Sequence, residues 1–223
     1  MTAAHHFFSY FPQFHPDPIN DRAWGEGFTD WDLIRALPES QRDTFTPSCG
    51  YYDPSAPEYL SRLCEQLKAL PLSNAGLMVY HYHFDGVSVL SGFEKQLLAQ
   101  PDLGPPFFLC WANETWTKRW VGQPGEVLVE QRHSVNAELV KDHARYLVQF
   151  FDLPHYHCVD GRPLLMIYNA QASVTLPHVL SMYRAEFAAL GYNPLIGACI
   201  AYPQPSDLML PYDFGCEFEP RFF

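Results

Sequence analysis

The chain has 223 residues, 48% of them hydrophobic, and a formal net charge of −11. That size supports one large core. The acidic balance argues against nucleic acid or an anionic membrane surface as a main partner, and no apolar run reaches the ~20 residues that span a bilayer. The opening MTAAHHFFSYFPQ has no basic region followed by a long apolar one, so it is not read as a signal peptide. The six cysteines include no Cys-x-x-Cys pair; with no export signal they are expected to be reduced, in a cytoplasmic protein.

In chain order, residues 7–11 read as a first strand, followed by a long loop from Pro12 to about Ala56. Leu60, Leu63, Cys64 and Leu67 give helical spacing over 58–70. Residues 76–84 read as a second strand, 92–100 as a short helix and 106–111 as a third strand. A second long loop holds a hairpin strand at 126–131, and 135–151 is an amphipathic helix. A fourth strand at 162–168, a helix at 177–190 stopped by Gly191, a fifth strand at 194–201 and a sixth at 213–218 complete the pattern. Apolar strands alternating with helices predict a parallel sheet covered on both faces, either doubly wound or a (β/α) barrel. No Gly-x-Gly-x-x-Gly or Walker-type loop occurs, which disfavours nucleotide binding. Polar and aromatic residues gather just after the strand ends, where a barrel builds its site.

Four clusters carry chemistry. In the first, residues 10–31, Tyr10, Gln13, His15, Trp24 and Trp31 follow the first strand; a loop of that length is usually functional, although its prolines also suit a simple cover for the barrel end. In the second, VYHYHFDG at 79–86, alternation puts His81, His83 and Asp85 on one face and Tyr80, Tyr82 and Phe84 on the other. A His-x-His pair can hold a metal, but the fourth strand ends in Tyr168-Asn169 and the fifth in Ala201-Tyr202, neither with a His or Asp, so no metal and no cofactor is expected. The third, FLCWANETWTKRW at 108–120, supplies Trp111, Asn113, Glu114, Trp116 and Arg119. Sugars present C–H faces that pack on aromatic planes and hydroxyls that bond amides, carboxylates and cations, and this stretch has both kinds of group. In the fourth, DFGCEFEPR at 213–221, Glu217 and Glu219 share a face if the segment is a strand.

Together YFPQFHPDPINDRAWGEGFTDW, GYYDP (with Tyr52), YHYHFDG, FFLCWANETWTKRW and CEFEP resemble, in order and spacing, the WbsX-type, glycoside hydrolase family 99-like domain over nearly the whole chain. The resemblance implies a (β/α)8 TIM-type barrel acting on glycosidic bonds, as a glycosyltransferase or a glycoside hydrolase of lipopolysaccharide O-antigen and other surface polysaccharide metabolism. The related hydrolases are metal-independent retaining endo-α-mannosidases, with two carboxylates in a Glu-Trp-x-Glu motif on a late strand. No Glu-Trp-x-Glu occurs here, and about six of the eight strands fit, so the chain is expected to be the front part of a barrel, as a fragment or a natural truncation. The single domain is taken as residues 1–223. Glu114 and Glu217 are expected to be hydroxyl ligands or supporting carboxylates, not the main acid–base pair. Tyr10, Gln13, His15, Trp24, Trp31, Tyr52, His81, Tyr82, Asp85, Trp111, Asn113, Trp116 and Arg119 are the expected substrate contacts. The expected partner is an oligosaccharide or polysaccharide, with possible fusion to or association with other polysaccharide-biosynthesis enzymes. The alternatives are a non-catalytic carbohydrate-binding or scaffold fragment, and a metal-dependent hydrolase using His81 and His83.

Overall fold

The computed structural model describes residues 5–118, 123–200 and 211–217. The main sheet has six parallel strands: β1 (His6–Tyr10), β2 (Ala75–Phe84), β4 (Phe107–Trp111), β8 (Arg162–Ile167), β9 (Leu195–Ile200) and β10 (Phe214–Glu217), neighbours in that order. The sheet curls into part of a (β/α)8 barrel. All ten residues of β2 are buried and all five of β4, as expected where both faces of a parallel strand are covered. Helices α4 (Tyr59–Lys68), α5 (Gly92–Ala99), α6 (Ala137–Phe151) and α7 (Leu176–Ala189) supply the outer layer.

The region expected to be loop before α4 contains three short helices instead: α1 (Pro18–Trp24), α2 (Asp30–Arg35) and α3 (Glu39–Phe45). Local capping explains the first two. The Asp17 carboxylate accepts the Ile19 N–H with Pro18 in the first turn, and the Thr29 N–H donates to the Asp32 carboxylate at 2.8 Å. Two hairpins extend the sheet. β3 (Val87–Val89) returns along β2 through Asp85-Gly86, and β7 (Cys158–Val159) pairs with β8 through Asp160-Gly161. All four turn residues have positive φ, the backbone that an Asp-Gly type I′ turn requires. A separate hairpin, β5 (Trp116–Lys118) with β6 (Gln123–Val129), follows β4.

The two faces of the sheet are chemically distinct. On the helix side, Tyr10 meets Phe93 of α5, His81 meets Glu94 of α5, and Trp111 meets Tyr183 of α7. The other face lines the lumen. Its lowest layer is apolar: Phe7 packs on Phe108 at 4.8 Å, and Phe214 fills the space over Gly197. A Cβ on Gly197 would collide with the Phe214 ring and the Met166 sulfur, so only glycine admits both. Above it lie Phe11, Tyr80, Cys110, Tyr168 and Cys199, and above those, toward the C-terminal strand ends, Gln13, Tyr82 and Trp116.

Candidate functional site

The upper lumen combines aromatic planes with hydrogen-bonding groups. Tyr82 packs edge-on against Trp116 at 4.9 Å, and its hydroxyl donates to Gln13 Oε1 at 3.4 Å. Trp116 also meets Phe84 at 5.6 Å. Glu114 is exposed, and its Oε1 accepts from Asn169 Nδ2 at 2.7 Å, which joins the ends of β4 and β8. Asp30, in the first turn of α2, acts electrostatically on Tyr82. Burial raises its carboxyl to about 6, against a lowering by its own backbone N–H. The Cys110 thiol donates to Cys199, which holds Cys199 below the ordinary thiol range, while burial lifts Cys110.

The structure brings Gln13, Tyr82, Glu114 and Trp116 together at this end. Other expected contacts have internal partners. The Tyr10 hydroxyl donates to Tyr59 on the helix side. His15 is 5% exposed, and its two ring nitrogens bond Pro16 O and the Gly92 N–H. The Trp31 indole N–H donates to Tyr52 O at 2.7 Å, with Phe14 stacked on the Trp31 ring and Tyr52 edge-on to it, so these side chains pin the first loop. Trp24 lies beneath the Lys118 ammonium, 5.2 Å from its ring centre. The Asp85 carboxylate accepts from the Ser134 N–H and hydroxyl. Glu217 ends β10 opposite Ile200, and Arg119 and Glu219 lie outside the described residues.

Trp111 and Asn113 also turn inward. The Trp111 indole N–H donates to His83 O at 2.9 Å, and the ring is enclosed by His133, His143 and Tyr183. Asn113 is fully buried; its Nδ2 donates to Asn169 O, its Oδ1 accepts the Asn169 N–H, and Nδ2 also meets His133. Asn113 thus fixes Asn169, which in turn bonds Glu114.

Behind the sheet runs a buried polar chain. The Tyr146 hydroxyl donates to Glu94 Oε2 at 2.7 Å, and Glu94 Oε1 meets His81 Nδ1 at 2.8 Å. His81 Nε2 meets His143 Nε2 at 2.7 Å, and His143 Nδ1 meets the Tyr183 hydroxyl at 2.6 Å. Every member is satisfied if Tyr183 donates to His143, His143 to His81, and His81 to Glu94. His83 stacks on His143, with ring centres 3.7 Å apart and planes at 12°. Its Nε2 accepts the Gly86 N–H and its Nδ1 meets Ser88. Burial lowers His83 to about 3 and holds His143 well below the ordinary range.

His81, His83 and His143 each offer a ligand atom within 4.8 Å of the others, so His143 supplies the third imidazole that the strand ends lack. The arrangement does not suit a metal. Each ring nitrogen already has a partner, and face-stacked rings do not converge their lone pairs on one point. The cluster also lies on the opposite face of β2 from the lumen. A cavity of about 10 Å³ beside it, lined by His83, Asp85, Trp111, His133 and Tyr183 among others, has room for about one water.

Sequence reasoning passed over Asp30, Tyr80, Gln131 and His143. Tyr80 Oη and both amide atoms of Gln131 are buried with no hydrogen-bond partner among the described residues. His143 was readable as a helix-face residue, but nothing local connects it with β2, 60 residues earlier in the chain by the nearer His83.

Comparison with known proteins decides the family. A family model described as glycosyltransferase WbsX matches residues 7–211. The chain belongs to the WbsX glycosyltransferase family. It is 34% identical over 217 residues to the uncharacterized protein WxcX from two strains of Xanthomonas campestris pv. campestris. That match covers 95% of this chain and 31% of WxcX, so the chain spans about a third of the length of these relatives. Among solved structures it is similar to a GH99 endo-alpha-mannosidase from Bacteroides thetaiotaomicron, also solved with bis-tris-propane. The TM-score is 0.55 at 16% identity, covering 95% of this chain and 57% of that one in the bis-tris-propane complex. This likeness establishes the incomplete barrel fold. Among the described residues, no helix is long and apolar enough to cross a membrane.

Proposed function

We propose that this WbsX-family domain is the glycan-holding front of a carbohydrate-active barrel, a glycosyltransferase or glycoside hydrolase of surface polysaccharide metabolism. The observation that carries the reading is the upper lumen. There the rings of Tyr82 and Trp116 offer packing surface, and Gln13, Asn169, Glu114 and Asp30 offer hydroxyl partners at the C-terminal strand ends. Glu114 is read as a hydroxyl ligand held in place by Asn113 through Asn169; Glu217 remains a proposed supporting carboxylate. The partner is an oligosaccharide or polysaccharide, and cytoplasmic action beside other polysaccharide-biosynthesis enzymes fits the family.

A second reading, carbohydrate binding without turnover, is favoured by one feature: these 223 residues contain no Glu-Trp-x-Glu. Glycan binding by saturation-transfer NMR, combined with thermal melting, tests the common ground. Trp116→Ala should weaken binding with little loss of stability. Trp111→Ala should cost about 3–5 kcal/mol of stability, because a fully packed ring is removed, and leave the affinity of the folded fraction unchanged. Equal binding by wild type and Trp116→Ala would remove the lumen reading. A hydrolysis or transfer assay on a bound glycan then separates enzyme from binding module.

A further inference from the structure

A buried polar atom without a partner costs roughly 1–3 kcal/mol, and native proteins retain few of them. Two such residues are Tyr80, in the lumen one layer below Tyr82, and Gln131, in the loop at its C-terminal end. Tyr80 is 2% exposed, and its hydroxyl has no partner among the described residues. The ring is on the lumen face of β2, stacked on Phe11 at 4.1 Å and 5.4 Å from Tyr168. Gln131 is 9% exposed, and neither its amide oxygen nor its amide nitrogen has a partner there. Its backbone N–H donates to Thr115 Oγ1, which ties it to the loop just after β4, beside Glu114.

The cover over Tyr80 is thin. Phe11 is 40% exposed, and Tyr168 and Cys199 are half-buried. A ligand that reaches the hydroxyl has to displace part of this cover. Among the described residues, the groups that act on Tyr80, Tyr82 and Tyr168 are thiols, phenols and the carboxyls Asp30 and Glu114, while the Lys118 ammonium, two residues past Trp116, is taken up by Glu126 and the Trp24 ring. An anionic sugar would meet the carboxylates of Asp30 and Glu114, whereas an uncharged ring would give them hydroxyl donors.

We propose that Tyr80, one layer below Tyr82 in the lumen, and Gln131 at the rim are hydroxyl-reading residues for an uncharged sugar ring, and that the site excludes uronic acids. This rests on the glycan reading above and adds the residues and the charge class. The phenol supplies one donor and one acceptor, and the amide two donors and one acceptor, so the ligand completes what the protein leaves open.

The test is saturation-transfer NMR titration of the 223-residue chain with mannose, glucose, galactose, rhamnose and glucuronic acid. Wild type should bind at least one neutral sugar, with glucuronic acid weaker. Tyr80→Phe removes one oxygen and keeps the ring; it should bind about 5–10-fold more weakly and melt at the same or a higher temperature without sugar. Gln131→Met should behave alike. Wild-type affinity in both variants, or tighter binding of glucuronic acid, overturns this proposal and leaves the glycan reading standing. A wild-type chain that binds none of the five sugars overturns both.

Discussion

Asp30 is a carboxyl held where it does not ionise easily. Burial lifts it from 3.8 to about 6, so between those pH values the folded protein keeps its proton while the unfolded chain has lost it. Its contribution to stability is therefore greatest below pH 3.8 and falls as pH rises through 6. A neutral amide avoids that cost, and Asp30→Asn should raise stability at neutral pH by about 1–3 kcal/mol while changing the pH dependence of glycan binding. An NMR titration of the wild-type carboxyl near 3.8, with no gain in melting temperature for Asp30→Asn, would sink this assignment. A group kept at a stability cost beside Tyr82 is a better candidate for proton transfer or hydroxyl binding than the satisfied Asp85. The sequence made part of this legible. Alternation in VYHYHFDG separated the His and Tyr faces, but not which of them faces the lumen. Both faces of a parallel strand in a barrel are buried, so the pattern carries no inward or outward sign. Trp111 and Asn113, expected as substrate contacts from their place at a strand end, have their polar atoms taken up by His83, Asn169 and His133.

At the scale of elements, β2 is joined to α5 and α6 by the His81–Glu94 and His81–His143 bonds, and α6 to α7 by His143–Tyr183. One proton occupies the contact between His81 and His143, and a second there would set two N–H groups against each other. The groups facing His143 are His81 and His83 of β2 and Tyr183 of α7, with Glu94 of α5 and Tyr146 of α6 reached through His81. Unfolded, His83 titrates near 6.5; folded, near 3. Its contribution is thus complete above pH 6.5 and is lost as pH falls toward 3, with His143 acting in the same direction. Asp30 opposes this between 6 and 3.8, but its shift is smaller and is opposed by two histidines. Melting temperature should therefore fall steadily from pH 6.5 to 4, less steeply in His83→Gln; a flat profile in wild type would contradict the assignment. Strands and long helices were readable from apolar runs and spacing to within a few residues. The short helices α1 and α2 were missed because their signals are local caps, Asp17-Pro18 and Thr29 with Asp32, inside a segment with no apolar period. Asp85-Gly86 and Asp160-Gly161 were direct hairpin signals in the sequence, overshadowed by the β/α alternation.

For the molecule as a whole, the six parallel strands leave the outer edges of β1 and β10 without a neighbour among the described residues. An eight-stranded barrel has no edges, because its last strand pairs with its first. Among the described residues no strand fills the corresponding interval between β10 and β1, while the six strands present share a core that runs from Phe7 to Phe214. Unpaired N–H and C=O groups on two parallel edge strands template pairing with another chain. The edge strand β1 does little to prevent it. His6 to Tyr10 contains no proline, no lysine and no acidic residue, and Phe8 is 41% exposed. The isolated 223-residue chain should therefore self-associate at micromolar concentration, and more so near its isoelectric point, where the net charge of −11 no longer keeps copies apart. Phe8→Lys on β1 should reduce the association without lowering the melting temperature. Light scattering after size exclusion measures both. A chain that stays monomeric as its concentration is raised would mean that the β1 and β10 edges are not available for pairing, and the half-barrel would then be closed within a single copy.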